Sequence, residues 1–404
     1  MMSEKTIING MVEEIKKELL EDILPFWLNN TKDDENGGFY GFITNSLEIN
    51  KNSEKGVILC TRILWTYSYA YGMFKKEEYK EMATYAYDYL INNFWDKEFG
   101  GFFWSLNADA TVLDGKKQIY AEAFGIYSLT EYYKATGNQE ALEYAKKIFF
   151  LIEEHGYDKE NQGYFEAYSN AWVLLEDLRL SEKDMNEKKS MNTHLHVLEA
   201  YTNLYRVFKD EILKDKLTEL IDVTIKHIIN NETYQFKLFF DEKWTQKSNV
   251  ISYGHDIEGS WLLYEAAEVL GDEAVINRCK EVTLRMAEIT LEQGIDEDNG
   301  LIYEVHENGA LDREKHWWPQ AEAVVGFYNA YELTGDVKYL EASKKIWDFI
   351  NKHVVDHDNG EWFWKAPSSC VNYNDEPKVS MWKCPYHNSR MCYEIIQRVG
   401  RVRE

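Results

Sequence analysis

The sequence is short of positive charge: 45 Lys and Arg face 70 Asp and Glu, a formal net charge of −25 over 404 residues. Binding to nucleic acid needs a basic track to meet the phosphates, so this deficit argues against it. Anionic membranes and polyanionic substrates are disfavoured for the same reason. Solubility alone explains the acidity, which therefore names no ligand. Nowhere do 18 apolar residues run together, so no membrane-spanning segment is expected. The opening MMSEKTIINGMVEEIKKELL carries no apolar leader of the secretory type. The five cysteines (Cys60, Cys279, Cys370, Cys384 and Cys392) are an odd number with no Cys-x2-Cys pair. They read as free thiols in a reducing compartment, and the expected location is the cytoplasm. Also missing are HExxH, GxGxxG, G-x4-G-K-S/T and GxSxG. These absences remove the zinc-protease, dinucleotide, P-loop and serine-hydrolase readings. Cys384-x2-His387-x4-Cys392 only loosely matches zinc-ligand spacing, which requires four convergent ligands, so no metal is expected.

Aromatic residues are abundant at 15%, with 28 Tyr, 19 Phe and 13 Trp. Rigid rings with polar handles serve both core packing and the stacking of sugar faces. One phrase recurs: DDENGGFY (33–40), DKEFGGFF (96–103), DKENQGYF (158–165), DEDNGLIY (296–303) and DHDNGEWF (356–363). A degenerate fourth copy is expected near KLFFDEKW (237–244), which completes six units of roughly 60–70 residues. Each phrase is a turn. Asp and Asn bond their own backbone, Gly takes positive φ, and the aromatic run after it is a short extended piece.

Between the phrases the apolar spacing is helical. Twelve helices are predicted near 5–27, 57–74, 77–95, 119–136, 140–155, 190–208, 211–230, 255–270, 273–292, 316–334, 338–353 and 387–399. TGN (136–138), LGD (270–272) and TGD (334–336) supply terminating glycines. Every second helix, such as VILCTRILWTYSYAYGMF, is apolar almost all round and belongs in an inner ring. The alternates, such as EEYKEMATYAYDYLINNF, keep a charged face and suit an outer ring. The predicted fold is all-α: a closed (α/α)6 barrel, one catalytic domain over 1–404, with short β pieces in the connecting loops.

Chemically distinctive residues collect at the starts of the inner helices: Arg62; Tyr120 and Glu122; Asn192 and His196; His255 and Glu258; Trp318 and Glu322; His387 and Arg390. Inner helices run the same way, so six distant segments converge on one end of one cavity. His194 lies two residues from His196 and cannot share its face, which assigns it to packing or to the cavity rim. His155, His227, His306, His353 and His357 sit among charged or loop residues and are expected to be local or superficial. Arg62 on an apolar helix is costly to bury alone, so it has either a carboxylate partner or a chemical task. Of the adjacent Trp317 and Trp318, one packs and the other meets the cavity.

Neutral histidines, an arginine and carboxylates without a cofactor motif suit proton transfer on a neutral polar substrate. At a helix start the dipole disfavours imidazolium and keeps the base free. Two histidines on different helices can address opposite faces of one carbon, as inversion of a stereocentre requires, while the arginine stabilises an enediolate oxygen. A glycoside hydrolase using Glu258 and Glu322 is the rival reading, since that chemistry needs a carboxylate pair. A carbohydrate-binding module is the non-enzymatic one.

MNTHLHVLEAYTNLYR (191–206), SYGHDIEGSWLLYEAA (252–267), KHWWPQAEAVVGF (315–327) and MWKCPYHNSRMCYE (381–394) resemble the cellobiose 2-epimerase branch of the N-acylglucosamine 2-epimerase superfamily. The resemblance covers essentially the whole chain. It implies the (α/α)6 barrel and reversible C2 epimerisation of the reducing-end glucose of β-1,4-linked disaccharides, with no cofactor. Nearest within the superfamily are N-acylglucosamine 2-epimerases and mannose isomerases. By position His387 and His255 resemble the acid/base pair, and Arg62 the residue holding the oxygens at C1 and C2. His196 with Asn192 resembles the group assisting ring opening; Glu258 resembles the carboxylate that orients or charges His255, also linked to ring opening. Tyr120, Trp318, Glu322 and Trp382 resemble sugar contacts, and Asp184 a contact to the second sugar. Trp382 stands alone where related enzymes often show a tryptophan pair. A small-molecule disaccharide is the expected partner, with neither nucleic acid nor membrane, and the expected state is a monomer.

Overall fold

The computed structural model describes residues 3–367 and 376–401, so Cys370 lies outside the described residues. The recurring aspartates fold as turns whose side chains hold their own backbone. Asp33 Oδ1 accepts from the N–H groups of Glu35 (3.1 Å) and Asn36 (3.0 Å), and Gly37 takes φ of +76°. Side chains rarely adopt that conformation and glycine adopts it freely. Asp96, Asp158 and Asp356 repeat the pattern. The fourth copy is Asn230, upstream of the expected 237–244: its Oδ1 accepts from Glu232 N–H at 3.0 Å, and Tyr234 stands at φ +57°. A search for Asp and Gly misses it because it has neither.

In five of the six units a lysine ahead of the following inner helix reaches back into the turn. Lys55 meets Asp33 at 2.7 Å, Lys117 meets Asp96 at 3.0 Å, Lys189 meets Asp158 at 2.8 Å and Lys315 meets Asp296 at 2.8 Å; Lys378 pairs with Asp356. Burial by itself would raise the pKa of Asp96 and Asp158, but the lysine and turn N–H groups outweigh it and hold both low. The fourth unit loses both charges together, with Asn230 for the aspartate and Ile251 for the lysine. That joint change avoids leaving one buried charge unpaired, which costs several kcal/mol (about 3–5).

In chain order the helices are α1 (Glu4–Glu18), α2 (Leu24–Asn30), α3 (Val57–Phe74), α4 (Glu77–Tyr89), α5 (Ile119–Thr136), α6 (Gln139–Leu151) and α7 (Met191–Val207). They continue with α8 (Glu211–Val223), α9 (Tyr253–Leu270), α10 (Glu273–Gln293), α11 (Trp317–Thr334), α12 (Val337–His353) and α13 (Tyr386–Arg401). A π-helical turn, Leu19–Ile23, joins α1 to α2, so the predicted helix 5–27 is one continuous helical run over Glu4–Asn30. Similar turns extend α4, α6 and α8. Helices α3, α5, α7, α9, α11 and α13 each pack on the next, and α13 packs on α3. The ring is closed: this is the (α/α)6 barrel.

Burial follows the predicted division. In α3 every residue from Val57 to Ser68 is buried, whereas α12 buries Leu340, Ile346, Trp347 and Ile350 and exposes Lys338, Glu341, Lys345 and Asp348. Cys60, Cys279, Cys384 and Cys392 are buried and unpaired. Among the described residues no helix is long and apolar enough to cross a membrane.

The fourth residue of four inner helices ties the turns to the ring. Glu122 accepts from Phe102 N–H (2.8 Å), His194 Nε2 from Tyr164 N–H (2.9 Å), Asp256 from Phe236 N–H (2.7 Å) and Gln320 from Leu301 N–H (2.7 Å). His194 is thus a packing residue, as its spacing predicts, and burial pushes its pKa down to about 3. Burial pushes Asp256 up to about 8, with the Phe236 hydrogen bond opposing. The folded protein therefore binds a proton at Asp256 that the unfolded chain releases near pH 4, and stability falls as pH rises through that window. Asp256→Asn keeps the acceptor and removes the charge. Its Tm should match that of the wild type near pH 4 and exceed it by about 1–3 °C at pH 8, as read by calorimetry.

Candidate active site

The fourth residues anchor the loops; the sixth residues face inward. Counting from the first residue of α3, α5, α7, α9 and α11, the sixth position holds Arg62, Phe124, His196, Glu258 and Glu322. All are buried. The sixth helix completes this layer with Arg390, which organises it. Arg390 Nη2 donates to Glu258 Oε1 at 2.5 Å and to Glu322 Oε1 at 2.6 Å, while Nη1 donates to Glu199 Oε1 and Tyr386 Oη. The Tyr386 hydroxyl also donates to Glu199. Its guanidinium lies 4.4 Å from the Tyr386 ring and 4.8 Å from that of Trp261.

One guanidinium cannot fully compensate three carboxylates, and the pKa directions show how the charge divides. Burial acts to raise all three. At Glu199 the Arg390 charge and the hydrogen bonds from His196 and Tyr386 prevail, holding it down to about 2. At Glu258 burial and the Glu322 charge prevail, pushing it up to about 7. Glu322 is raised by burial against the pull of Arg390. Glu258, Glu322 and His387 also bring ligand atoms within 4.8 Å of one another, as a metal site would. The cation at that centre is the Arg390 guanidinium itself.

Each histidine of the cluster has Nδ1 tied to the protein. His196 Nδ1 meets Glu199 Oε2 at 3.0 Å, His387 Nδ1 meets Glu322 Oε1 at 2.7 Å, and His255 Nδ1 meets Ser252 Oγ at 2.8 Å. A bonded Nδ1 fixes the ring and leaves Nε2 for chemistry. Burial pushes His255 down to about 3, helped by the nearby His196, and holds His387 well below the usual histidine range, helped by Arg62 and Arg390. Burial thus outranks the helix dipole as the reason both imidazoles are neutral at pH 7. The Trp318 ring lies 4.6 Å from that of His255 and 5.7 Å from that of His387. Trp317 is buried, packs against Trp364 at 4.6 Å and meets His387 only edge-to-face at 6.4 Å, so Trp318 is the member of the pair that lies beside both histidines.

Arg62 adds a second buried cation to the site, 4.8 Å from the Tyr386 ring. Its Nη2 donates to Tyr120 Oη at 2.8 Å and Nη1 to Cys384 Sγ at 3.5 Å, and its guanidinium lies 4.3 Å from the Phe124 ring. Among the described residues no carboxylate pairs with it, and its buried Nε has no partner. Of the two options its sequence position left open, a carboxylate partner is therefore excluded within these residues. Tyr120 also lies 5.0 Å from His196 and 6.1 Å from Trp382.

Asn192, the second residue of α7, has a buried Oδ1 that is unpartnered among the described residues. Asp184 is not drawn into the cluster: it accepts from Ser181 N–H (2.8 Å) and Ser181 Oγ (2.9 Å) within its own loop. Glu199 and Trp104 are additions to the residues singled out from the sequence. Glu199 stands three residues after His196 on an apolar helix, a spacing that could have flagged it. Trp104, 6.0 Å from Trp382, gives that solitary tryptophan a neighbour from another loop. At the far end of the ring a polar cavity of about 310 Å³, lined by Tyr69, Tyr127, Arg206 and Glu265, shares Glu199 with this site.

The family described as N-acylglucosamine 2-epimerase (GlcNAc 2-epimerase) matches residues 37–387. The chain is 50% identical over 385 residues to a cellobiose 2-epimerase of Bacteroides fragilis, covering 95% of this chain and 98% of that one. A cellobiose 2-epimerase of Ruminococcus albus is 40% identical, with 96% and 99% covered. The solved structure of cellobiose 2-epimerase from Bacillus thermoamylovorans superposes with a TM-score of 0.91 at 41% identity, covering 96% of this chain and all (100%) of that one. The family match and these relatives show that the chain is an isomerase-class enzyme belonging to the N-acylglucosamine 2-epimerase family.

Proposed function

We propose that the protein is a cellobiose 2-epimerase, converting the reducing-end glucose of β-1,4-linked disaccharides reversibly into mannose: cellobiose into 4-O-β-D-glucosyl-D-mannose, and lactose into epilactose. The observation that carries this reading is the pair of neutral imidazoles, His255 and His387, each anchored through Nδ1 and each beside Trp318. His196, with Asn192 and Glu258, opens the sugar ring. His387 then removes the C2 proton and the enediolate forms against the carboxylate-free Arg62, where a fixed cation stabilises the developing charge. His255 returns a proton to the other face. Trp318, Tyr120, Glu322 and Trp382 hold the reducing sugar, with Asp184 towards the second one. Glu258 would influence His255 only from a distance, since His255 Nδ1 is bonded to Ser252 Oγ and Glu258 to Arg390.

A hydrolase reading fits less well. Glycoside hydrolysis needs an acid and a base, or an acid and a nucleophile, flanking a glycosidic bond with roughly 5–9 Å between them. Glu258 and Glu322 instead grip one nitrogen of Arg390, at 2.5 and 2.6 Å, so a guanidinium lies where a sugar would have to be. The test is NMR of products from cellobiose, lactose, mannose and N-acetylglucosamine in D2O. We expect an uncleaved disaccharide ending in mannose, with deuterium at C2. Free glucose from cellobiose would point to hydrolysis, and turnover confined to mannose or N-acetylglucosamine would reassign the substrate.

A further inference from the structure

His196 differs from the other two histidines of the site in its partner. Glu199 Oε2 holds its Nδ1 at 3.0 Å, and the same carboxylate is clamped through Oε1 by Arg390 Nη1 and the Tyr386 hydroxyl. Arg390 and these hydrogen bonds, working against burial, hold Glu199 down to about 2, so it is a carboxylate that only accepts. The Nδ1 atom of His196 must then carry the proton and Nε2 the lone pair. An imidazolium formed there has its counter-charge already in place, the arrangement a buried carboxylate gives a catalytic histidine elsewhere. His387 and His255 depend on other atoms, Glu322 Oε1 and Ser252 Oγ. The site thus holds two proton-transfer devices joined at Arg390, which clamps both Glu199 and Glu322; among the described residues, no side chain hydrogen-bonded to His196 is hydrogen-bonded to His255 or His387.

We propose that the first device is an activity in its own right: the protein interconverts the α and β anomers of reducing sugars, with Glu199 as the residue that positions His196. This rests on the ring-opening part of the function proposed above. His196 Nε2 takes the proton of the anomeric hydroxyl as the C1–O5 bond breaks and C1=O forms, and the Glu258 carboxyl gives its proton to O5. Rotation about C1–C2 presents the other carbonyl face. The reverse transfers close the ring on that face and restore both side chains. Nothing is oxidised or reduced, no proton is gained or lost overall, and C2 keeps its hydrogen throughout.

Freshly dissolved α-lactose tests this by polarimetry, alongside NMR of the same mixture in D2O. Wild-type protein should speed the decay of optical rotation to equilibrium at least about 10-fold over buffer. Glu199→Gln should lower kcat for that decay by about 100-fold, in the range set by acid–base groups, with KM within about 3-fold, because the sugar is still bound. Glu199→Asp should recover part of the loss, which simple structural damage would not allow. Should Glu199→Gln fail to fold, Tyr386→Phe removes one clamp on the carboxylate and should lower kcat in the same direction. Accelerated decay without deuterium at C2 would uphold this activity and overturn the epimerase reading. Deuterium at C2 with decay at the buffer rate would do the reverse. A folded Glu199→Gln protein with wild-type kcat would remove Glu199 from its assigned role.

Discussion

Replacing His387 or His255 by Asn is expected to lower the rate of C2 epimerisation by about 10²–10⁴-fold, the usual contribution of a positioned acid or base. The reason is geometric and electrostatic. Each ring is fixed at Nδ1, by Glu322 at 2.7 Å and by Ser252 at 2.8 Å, so each offers Nε2 in one direction. Asparagine can retain a hydrogen bond to either anchor but cannot take or return a proton near neutral pH. Stability should barely change, because both imidazoles are neutral, so no buried charge is lost, and Glu322 keeps Arg390 as its partner. Product formation from cellobiose, followed by NMR, measures the loss, and Tm controls for folding. Both variants retaining more than about a tenth of the wild-type rate would defeat the two-histidine mechanism, since an acid–base group contributes far more than that.

Arg390→Leu should be the most damaging single change to stability, at about 3–5 kcal/mol, because it strips the partner from buried charge. Glu199, Glu258 and Glu322 would face one another inside the ring with no cation between them. The sign of the pH effect follows. In the wild type, Glu199 is held well below its ordinary value by Arg390, so its contribution is present above pH 4 and fades as pH falls towards 2. In the variant all three carboxyls should be raised. Its stability deficit should therefore be largest at pH 8 and shrink at pH 5, where the orphaned carboxyls take up protons. Thermal unfolding at both pH values checks this; a deficit independent of pH would mean that lost packing, rather than charge, dominates.

Much of the architecture was legible before any coordinates. The Asp and Gly of the turn phrase announce themselves because few residues tolerate φ near +76°, as at Gly37. Helices apolar on every side, such as α3, have nowhere to go but an inner ring. The convergence of Arg62, His196, His255, Glu258, Glu322 and His387 followed from their common place at the inner-helix starts. The missed fourth turn shows the limit: Asn230 and Tyr234 keep the backbone geometry without the expected residues, since a turn demands hydrogen bonds and a dihedral angle and is indifferent to the letters that provide them.

What the chain determined by itself is periodic and local: six turn-and-helix-pair units, the division into buried and half-exposed helices, and the layer of reactive side chains those units present. Ring closure decided the rest. Only when α13 docks against α3 does Arg390 come within reach of Glu199, Glu258 and Glu322, residues 68 to 191 positions away in sequence. Which carboxylate stays charged, which nitrogen each histidine keeps free and which of Trp317 and Trp318 lies beside both His255 and His387 were settled there. Those properties depend on burial and on electrostatic distances between units, and neither is defined until the units surround a common interior.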